Sequence, residues 1–274
     1  MPRDNHFHRI ILILRSLTIF LFVSLLVWWI VLQYFYNGAL EQQNLFWAAS
    51  YQIIALTGAI SGLIISKYWG GFKSLLGKSI IFFSLALFLQ VFGQSAFSFY
   101  NLILKVEIPY PSIADFGFVG SIFFFILASI YLTRVVGRRI FSQNRNYLVM
   151  IIPLVMLLVS YFFFLKGYVF DWSQPLKIFI DFGNPLGDAI YISLALIALL
   201  LSSNFLGGLM RWPMLGVLLA LVAQYIADFN FLYQASNLTW VNGGHGDFLY
   251  MCSYMITTIS LINLGSAFQK IRES

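Results

Sequence analysis

The sequence predicts an all-α, polytopic membrane bundle of eight transmembrane helices, arranged as two parallel four-helix repeats in one domain covering residues 1–274. Three observations point there. Hydrophobic residues make up 60% of the chain and charged ones 9%, against roughly 25% charged in an ordinary soluble domain. The apolar residues gather in eight long runs divided by short polar loops. The basic residues fall almost entirely on alternate loops.

A hydrocarbon core about 30 Å thick needs roughly 20 apolar residues per helical crossing. Runs near 11–35, 46–66, 79–100, 114–133, 147–165, 186–206, 212–233 and 247–268 meet that length. The first is too long for a secretory h-region and lacks a small-residue cleavage site, so it is read as a retained helix. The second leads into the loop of Lys67, Lys73 and Lys78, and the third carries Gln90 and Gln94. The fourth opens at Pro111-Ser112-Ile113-Ala114-Asp115, with ordinary helix-start signals ahead of an acid. The fifth follows Arg134, Arg138, Arg139 and Arg145, and the sixth is expected to open at Asn184-Pro185-Leu186-Gly187-Asp188. The seventh follows Arg211 and carries Gln224 and Asp228. The eighth opens at Gly244-His245-Gly246-Asp247 and runs down to Lys270 and Arg272.

Basic residues near helix ends are retained on the cytoplasmic side. Arg3, Arg9 and Arg15 at the N-terminus join the basic residues just named to put thirteen of the 16 Lys and Arg on one side. Only Lys105, Lys166 and Lys177 fall on the other. Both termini are therefore expected in the cytoplasm of a cell-membrane protein. The formal charge of +6 then reflects attraction to an anionic leaflet rather than to nucleic acid. Cys252, the single cysteine, excludes an intramolecular disulfide and, lying inside a helix, reports nothing about redox compartment. Asn237-Leu238-Thr239 matches a glycosylation sequon, which matters only in a eukaryotic secretory pathway.

The acids take the opposite side. Glu41, Glu107, Asp115, Asp171, Asp181, Asp188, Asp228 and Asp247 map to outer loops or outer helix ends, leaving only Asp4 and Glu273 inside. Acids contribute little to topology, so this polarity calls for another explanation.

The second half of the chain repeats the first. The segment from Ala86 to Gln94 aligns with that from Ala220 to Asp228, pairing Gln90 with Gln224. Asp115-Phe116-Gly117-Phe118 matches Asp247-Phe248-Leu249-Tyr250, and Ser66 to Gly71 resembles Ser203 to Gly208. Four crossings per unit, an even number, make the repeats (about 11–134 and 147–268) parallel rather than inverted. Apolar helices also align by composition alone, although matched Gln, Gly and Asp positions arise that way less readily.

Gln90 and Gln94, and Gln224 and Asp228, lie four apart and so share one face of their helices. Such side chains serve as interhelical glue or as a functional site, and an acid inside a span is the costlier choice for glue. Asp115, Asp188 and Asp247 complement helix N-terminal dipoles if they sit in first turns. Alternatively they converge with Gln94 and Asp228 on one outward-facing cavity, with Tyr51, Tyr100, Tyr110, Trp172, Tyr233 and Trp240 at its mouth. An interfacial aromatic belt predicts the same aromatic residues. Carboxylates gathered there repel one another, so a proton, a cation or a ligand amine is expected to offset them.

Other chemistries find less support. His245 beside Asp247 lacks a second spaced ligand pair for a metal, and His6 and His8 belong to the basic tail. No phosphate-binding Gly-rich loop or nucleophile–base pattern is visible, and no cofactor is expected. Lysine is absent from the middle of every span, which removes a retinal-type Schiff-base anchor. The run from Gly243 to Phe248 is only superficially similar to a cyclase signature, because it lies at a helix start outside the membrane.

Pro109-Tyr110-Pro111-Ser112-Ile113-Ala114-Asp115, Asp181 with Pro185-Leu186-Gly187-Asp188, Ala227-Asp228 with Tyr233, and Asp247-Phe248-Leu249-Tyr250 carry a resemblance. In them the chain resembles the eight-helix membrane sensor regions found N-terminal to bacterial diguanylate cyclases, phosphodiesterases and histidine kinases. The resemblance runs from about residue 46 to 265, through short motifs. It implies detection of an extracytoplasmic or membrane stimulus. Only a few residues follow Ala267, so no catalytic output domain is expected.

The expected function is a non-enzymatic sensor that binds a small extracytoplasmic ligand through Gln90, Gln94, Asp115, Asp188, Gln224, Asp228 and Asp247. It would signal to a cytoplasmic partner. The alternatives are a transporter or channel component for a cation or small polar solute, and an integral-membrane lipid-modifying enzyme. A transport path is polar on both sides of the midplane, whereas the inner halves of the third, fourth, seventh and eighth crossings are nearly all apolar, which favours binding without translocation.

Overall fold

The computed structural model describes residues 2–136, 146–202 and 208–273. Arg138, Arg139 and Arg145 of the fourth–fifth loop, and residues 203–207 of the upstream repeat match, lie outside the described residues. Among the described residues eight helices have the length and apolar composition to cross a membrane. They are α1 (His6–Phe35), α2 (Glu41–Tyr68), α3 (Leu75–Leu104), α4 (Ile113–Val135), α5 (Tyr147–Leu165), α6 (Pro175–Leu200), α7 (Arg211–Ser236) and α8 (His245–Glu273).

Local signals explain several ends. Gly70 and Gly71 turn the chain between α2 and α3 with φ of 86° and 52°, a region open to glycine at little cost. The Ser74 hydroxyl then caps α3 by accepting from the Gly77 N–H at 2.9 Å. At the start of α4, Asp115 accepts from the Ser112 N–H at 2.6 Å, while Ser112 Oγ accepts from the Ala114 N–H at 3.2 Å. That reciprocal exchange is a capping box.

One expected boundary is overturned. Asn184-Pro185 does not open the sixth crossing: α6 begins at Pro175, and Pro185 sits inside it. Within a bilayer an internal proline is tolerated because neighbouring side chains satisfy the disturbed backbone. Ser160 of α5 packs beside it and donates to the proline's own carbonyl at 2.8 Å, whereas the carbonyl that loses its helical N–H is that of Asp181, four residues earlier. Asp188 is accordingly a buried mid-helix residue, not a first-turn cap.

Helices α2, α3, α4, α6, α7 and α8 pack in that order into a closed ring, α8 meeting α2 again. Helix α1 lies outside against α8 and α2, and α5 outside against α6. These two are the least buried spans. Their exposed Phe20, Val27, Met150 and Leu154 form apolar surface that a water-soluble protein would cover and a bilayer solvates. Small residues let the ring close tightly. A methyl added to Gly117 of α4 would lie 2.6 Å from the Gly93 nitrogen of α3, so the two backbones touch there.

Candidate functional site

The ring encloses a cavity of about 50 Å³ near the end opposite Lys270 and Arg272. All six ring helices contribute: Tyr51 from α2, Gln90 and Gln94 from α3, Phe118 from α4, Asn184 and Asp188 from α6, Asp228 from α7, and Asp247, Tyr250 and Tyr254 from α8. Among the described residues no Lys, Arg or His side chain lines it.

Two of its carboxylates are held by hydrogen-bond donors, some on other helices and some close in the chain. Asp228 accepts from the Tyr191 hydroxyl at 2.7 Å, the Tyr250 hydroxyl at 2.9 Å and the Gln224 amide at 2.9 Å. Asp247 accepts from the Tyr51 hydroxyl at 2.9 Å and the Gly243 N–H at 2.6 Å. Burial removes water from these groups, so each bond replaces hydration the carboxylate has lost. Asp188 differs. It is 2% exposed and lines the cavity, yet its Oδ1 has no hydrogen-bond partner. Asn184, one turn earlier on the same face of α6, also leaves its Oδ1 unpartnered.

Each glutamine is bonded to another side chain or to the backbone. Gln90 donates to Ser121 of α4 at 2.8 Å and accepts from the Tyr254 hydroxyl at 3.0 Å. Gln224 gives its amide to Asp228 and accepts from Ser253 of α8 at 2.8 Å. Gln94 donates to the Ala48 carbonyl of α2 at 3.0 Å.

Of the seven residues expected at a site, Gln90, Gln94, Asp188, Asp228 and Asp247 line the cavity, and Gln224 stands behind Asp228. Asp115 is not brought to it: its carboxylate turns back onto Ser112. Of the expected aromatic residues, Tyr51 and Trp240 line the cavity, whereas Tyr100, Tyr110, Trp172 and Tyr233 do not. Sequence reasoning missed Tyr191, Tyr250 and Tyr254. A signal was present, since Tyr191 follows Asp188 by three and Tyr250 and Tyr254 follow Asp247 by three and seven, which is one helical face.

A second tyrosine–carboxylate cluster lies at the loops. Tyr110 and Tyr168 both donate to Asp181, Tyr168 at 2.7 Å. Burial, then the bond to Asp181, drives the Tyr110 phenol well above its usual range, while that bond is the first cause holding Tyr168 up at about 12. Among the described residues no group of three or more His, Cys, Asp or Glu side chains is arranged to hold a metal ion. No protein-family model, no curated protein and no solved structure matches the chain.

Proposed function

We propose that this chain is a non-enzymatic, multi-pass cell-membrane sensor, with both termini cytoplasmic, whose outer cavity binds a small cation and whose helix ring relays occupancy to a cytoplasmic partner. The observation that carries the proposal is the orphaned Oδ1 of Asp188 in a cavity lined by three carboxylates and no basic group. Buried polar atoms are nearly always paired, and Asp228 and Asp247 already have their donors. Asp188 and Asn184 together offer two unsatisfied oxygens to an ammonium or an alkali-metal ion, and the aromatic side chains of Phe118 and Tyr250 share the lining. Size narrows the ligand further. At about 50 Å³ the cavity is far below the roughly 300–1,000 Å³ of drug-sized sites.

Binding without passage is supported by the packing nearer the basic end. A methyl on Gly216 would lie 2.7 Å from Ser260 Oγ, and one on Gly58 2.9 Å from Leu87 Cδ1. Buried Ser61, Ser84 and Thr257 spend their hydroxyls on the carbonyl one turn back in their own helices. We further infer that the two halves are parallel repeats. Moving four helices along turns the α2–α3, α3–α4 and α4–α6 neighbours into α6–α7, α7–α8 and α8–α2. Gln90 with Ser121, and Gln224 with Ser253, make a glutamine–serine hydrogen bond between corresponding helices in each half, with the donor reversed.

The test is cation-dependent stability of the purified protein. Methylammonium and sodium chlorides are titrated against N-methylglucamine chloride at constant ionic strength. Wild type should show saturable stabilisation, roughly 1.4 kcal/mol at ten times Kd, and Asp188→Asn none. A flat wild-type response sinks the proposal, and flux of the same cation into proteoliposomes replaces it with the transporter alternative.

A further inference from the structure

At the opposite, basic end of the bundle a second cavity of about 580 Å³ opens between α1, α7 and α8. Its distinguishing residue is Arg15. This arginine lies inside an apolar span, roughly 13 Å along the helix from His6. A cation at that depth needs an anion or strong acceptors. One of its terminal nitrogens donates to Asn263 Oδ1 at 2.9 Å and to Ser266 Oγ at 3.0 Å, both neutral groups on α8. Its Nε is buried without a partner, and no carboxylate among the described residues pairs with it. Glu273 lines the same cavity but is engaged by the Gln269 amide at 2.9 Å.

Lys270 and His8 add basic groups at the rim, His8 held by Gln269 at 3.1 Å. The wall beside them is apolar, and Leu12, Leu209 and Trp212 are exposed at 46%, 48% and 75%. Basic groups set beside an exposed apolar wall match one kind of molecule, with an anionic head and a hydrocarbon tail. Basic pockets between transmembrane helices recognise lipid headgroups in this way, and a guanidinium offers a planar fork to a phosphate's oxygens.

We propose that this cavity binds the phosphate of an anionic membrane lipid, with Arg15 and Lys270 on the phosphate and an acyl chain along Leu12, Leu209 and Trp212. The site is independent of the acidic cavity and of any ligand there. A lipid seated between α1, α7 and α8 would tie the peripheral first helix to the ring.

The test is lipid retention by the detergent-solubilised full chain in native mass spectrometry, with added phosphatidylglycerol or phosphatidylcholine. A parallel arm adds inorganic phosphate to the phosphatidylglycerol complex. Wild type should keep one phosphatidylglycerol under activation that strips phosphatidylcholine. Lys270→Gln should lower that retention about fivefold, the worth of one basic group near the membrane surface, and Arg15→Gln by at least as much. Lys270 is exposed, so its variant tests the site even where Arg15→Gln fails to fold. Equal retention of both lipids overturns the proposal, as does a Lys270→Gln variant that binds like wild type. Displacement of the lipid by inorganic phosphate at equal concentration reassigns the pocket to the free anion and overturns it too.

Discussion

Asp228 is the residue at which a structural and a functional role separate most cleanly by mutation. Its Oδ2 accepts from Tyr191 and its Oδ1 from Tyr250 and Gln224. Replacing it with alanine strands two hydroxyls and an amide in a buried site. Interhelical hydrogen bonds in membranes average about 0.6 kcal/mol, which sets a floor near 1 kcal/mol for the two bonds from Tyr191 and Tyr250. Stranded buried donors cost about 1–3 kcal/mol each, so with three of them the full loss for Asp228→Ala is about 3–9 kcal/mol. Asparagine behaves differently. Its oxygen can take the Oδ1 position and serve Tyr250 and Gln224, while its nitrogen donates to a Tyr191 hydroxyl turned to accept. All three contacts survive, so Asp228→Asn should cost no more than about 1 kcal/mol. It lacks the negative charge, however, and should lose the cation-dependent stabilisation. The assay is unfolding in mixed SDS micelles, followed by the fluorescence of the seven tryptophans, with and without methylammonium. Two results would refute the reasoning: an asparagine variant as unstable as the alanine one, or one that still responds to the cation.

Other outcomes follow from the same geometry. Asp115→Ala removes a capping box and should cost about 1 kcal/mol, leaving the cation response intact; a lost response would put Asp115 at the cavity after all. Gly117→Val forces α3 and α4 apart and should destabilise by about 1–3 kcal/mol, read in the same micelle unfolding, whereas an unchanged midpoint would mean that the crossing is loose. Tyr168 has a folded value of about 12 against roughly 10 for a free tyrosine. The neutral phenol is favoured in the folded state, so its contribution is whole below about pH 10 and is lost as pH rises toward 12. Tyr168→Phe should accordingly delete one late step from the tyrosinate absorbance titration, and a curve that keeps that step would exclude the assignment. Reporter fusions at Lys73 and Arg139 should read cytoplasmic and those at Gln43 and Asn237 external; an external C-terminus would remove both the orientation and the parallel repeats.

The number and type of elements were legible from the sequence because a bilayer imposes a length on apolar runs that no soluble core demands. Six of the eight spans start or end within about two residues of where those runs do: the ends of α1, α2 and α5 and the starts of α4, α7 and α8. The same physics exposed the candidate polar residues, since Gln90, Gln94, Gln224 and Asp228 stand out where charge and amides are costly. Sequence could not decide between a start signal and a tolerated kink at Asn184-Pro185. That depends on what packs around the proline, and here α5 does, with Ser160 bonded to the Pro185 carbonyl. Nor could it tell a capping acid from a cavity acid. Asp115 and Asp247 occupy matching positions in similar motifs, yet one finds Ser112 in its own turn and the other finds Tyr51 on α2. A side chain's helix and depth are local properties, written in the order of residues. Its partner across the bundle is set by how six helices close into a ring, and only the tertiary structure decided that.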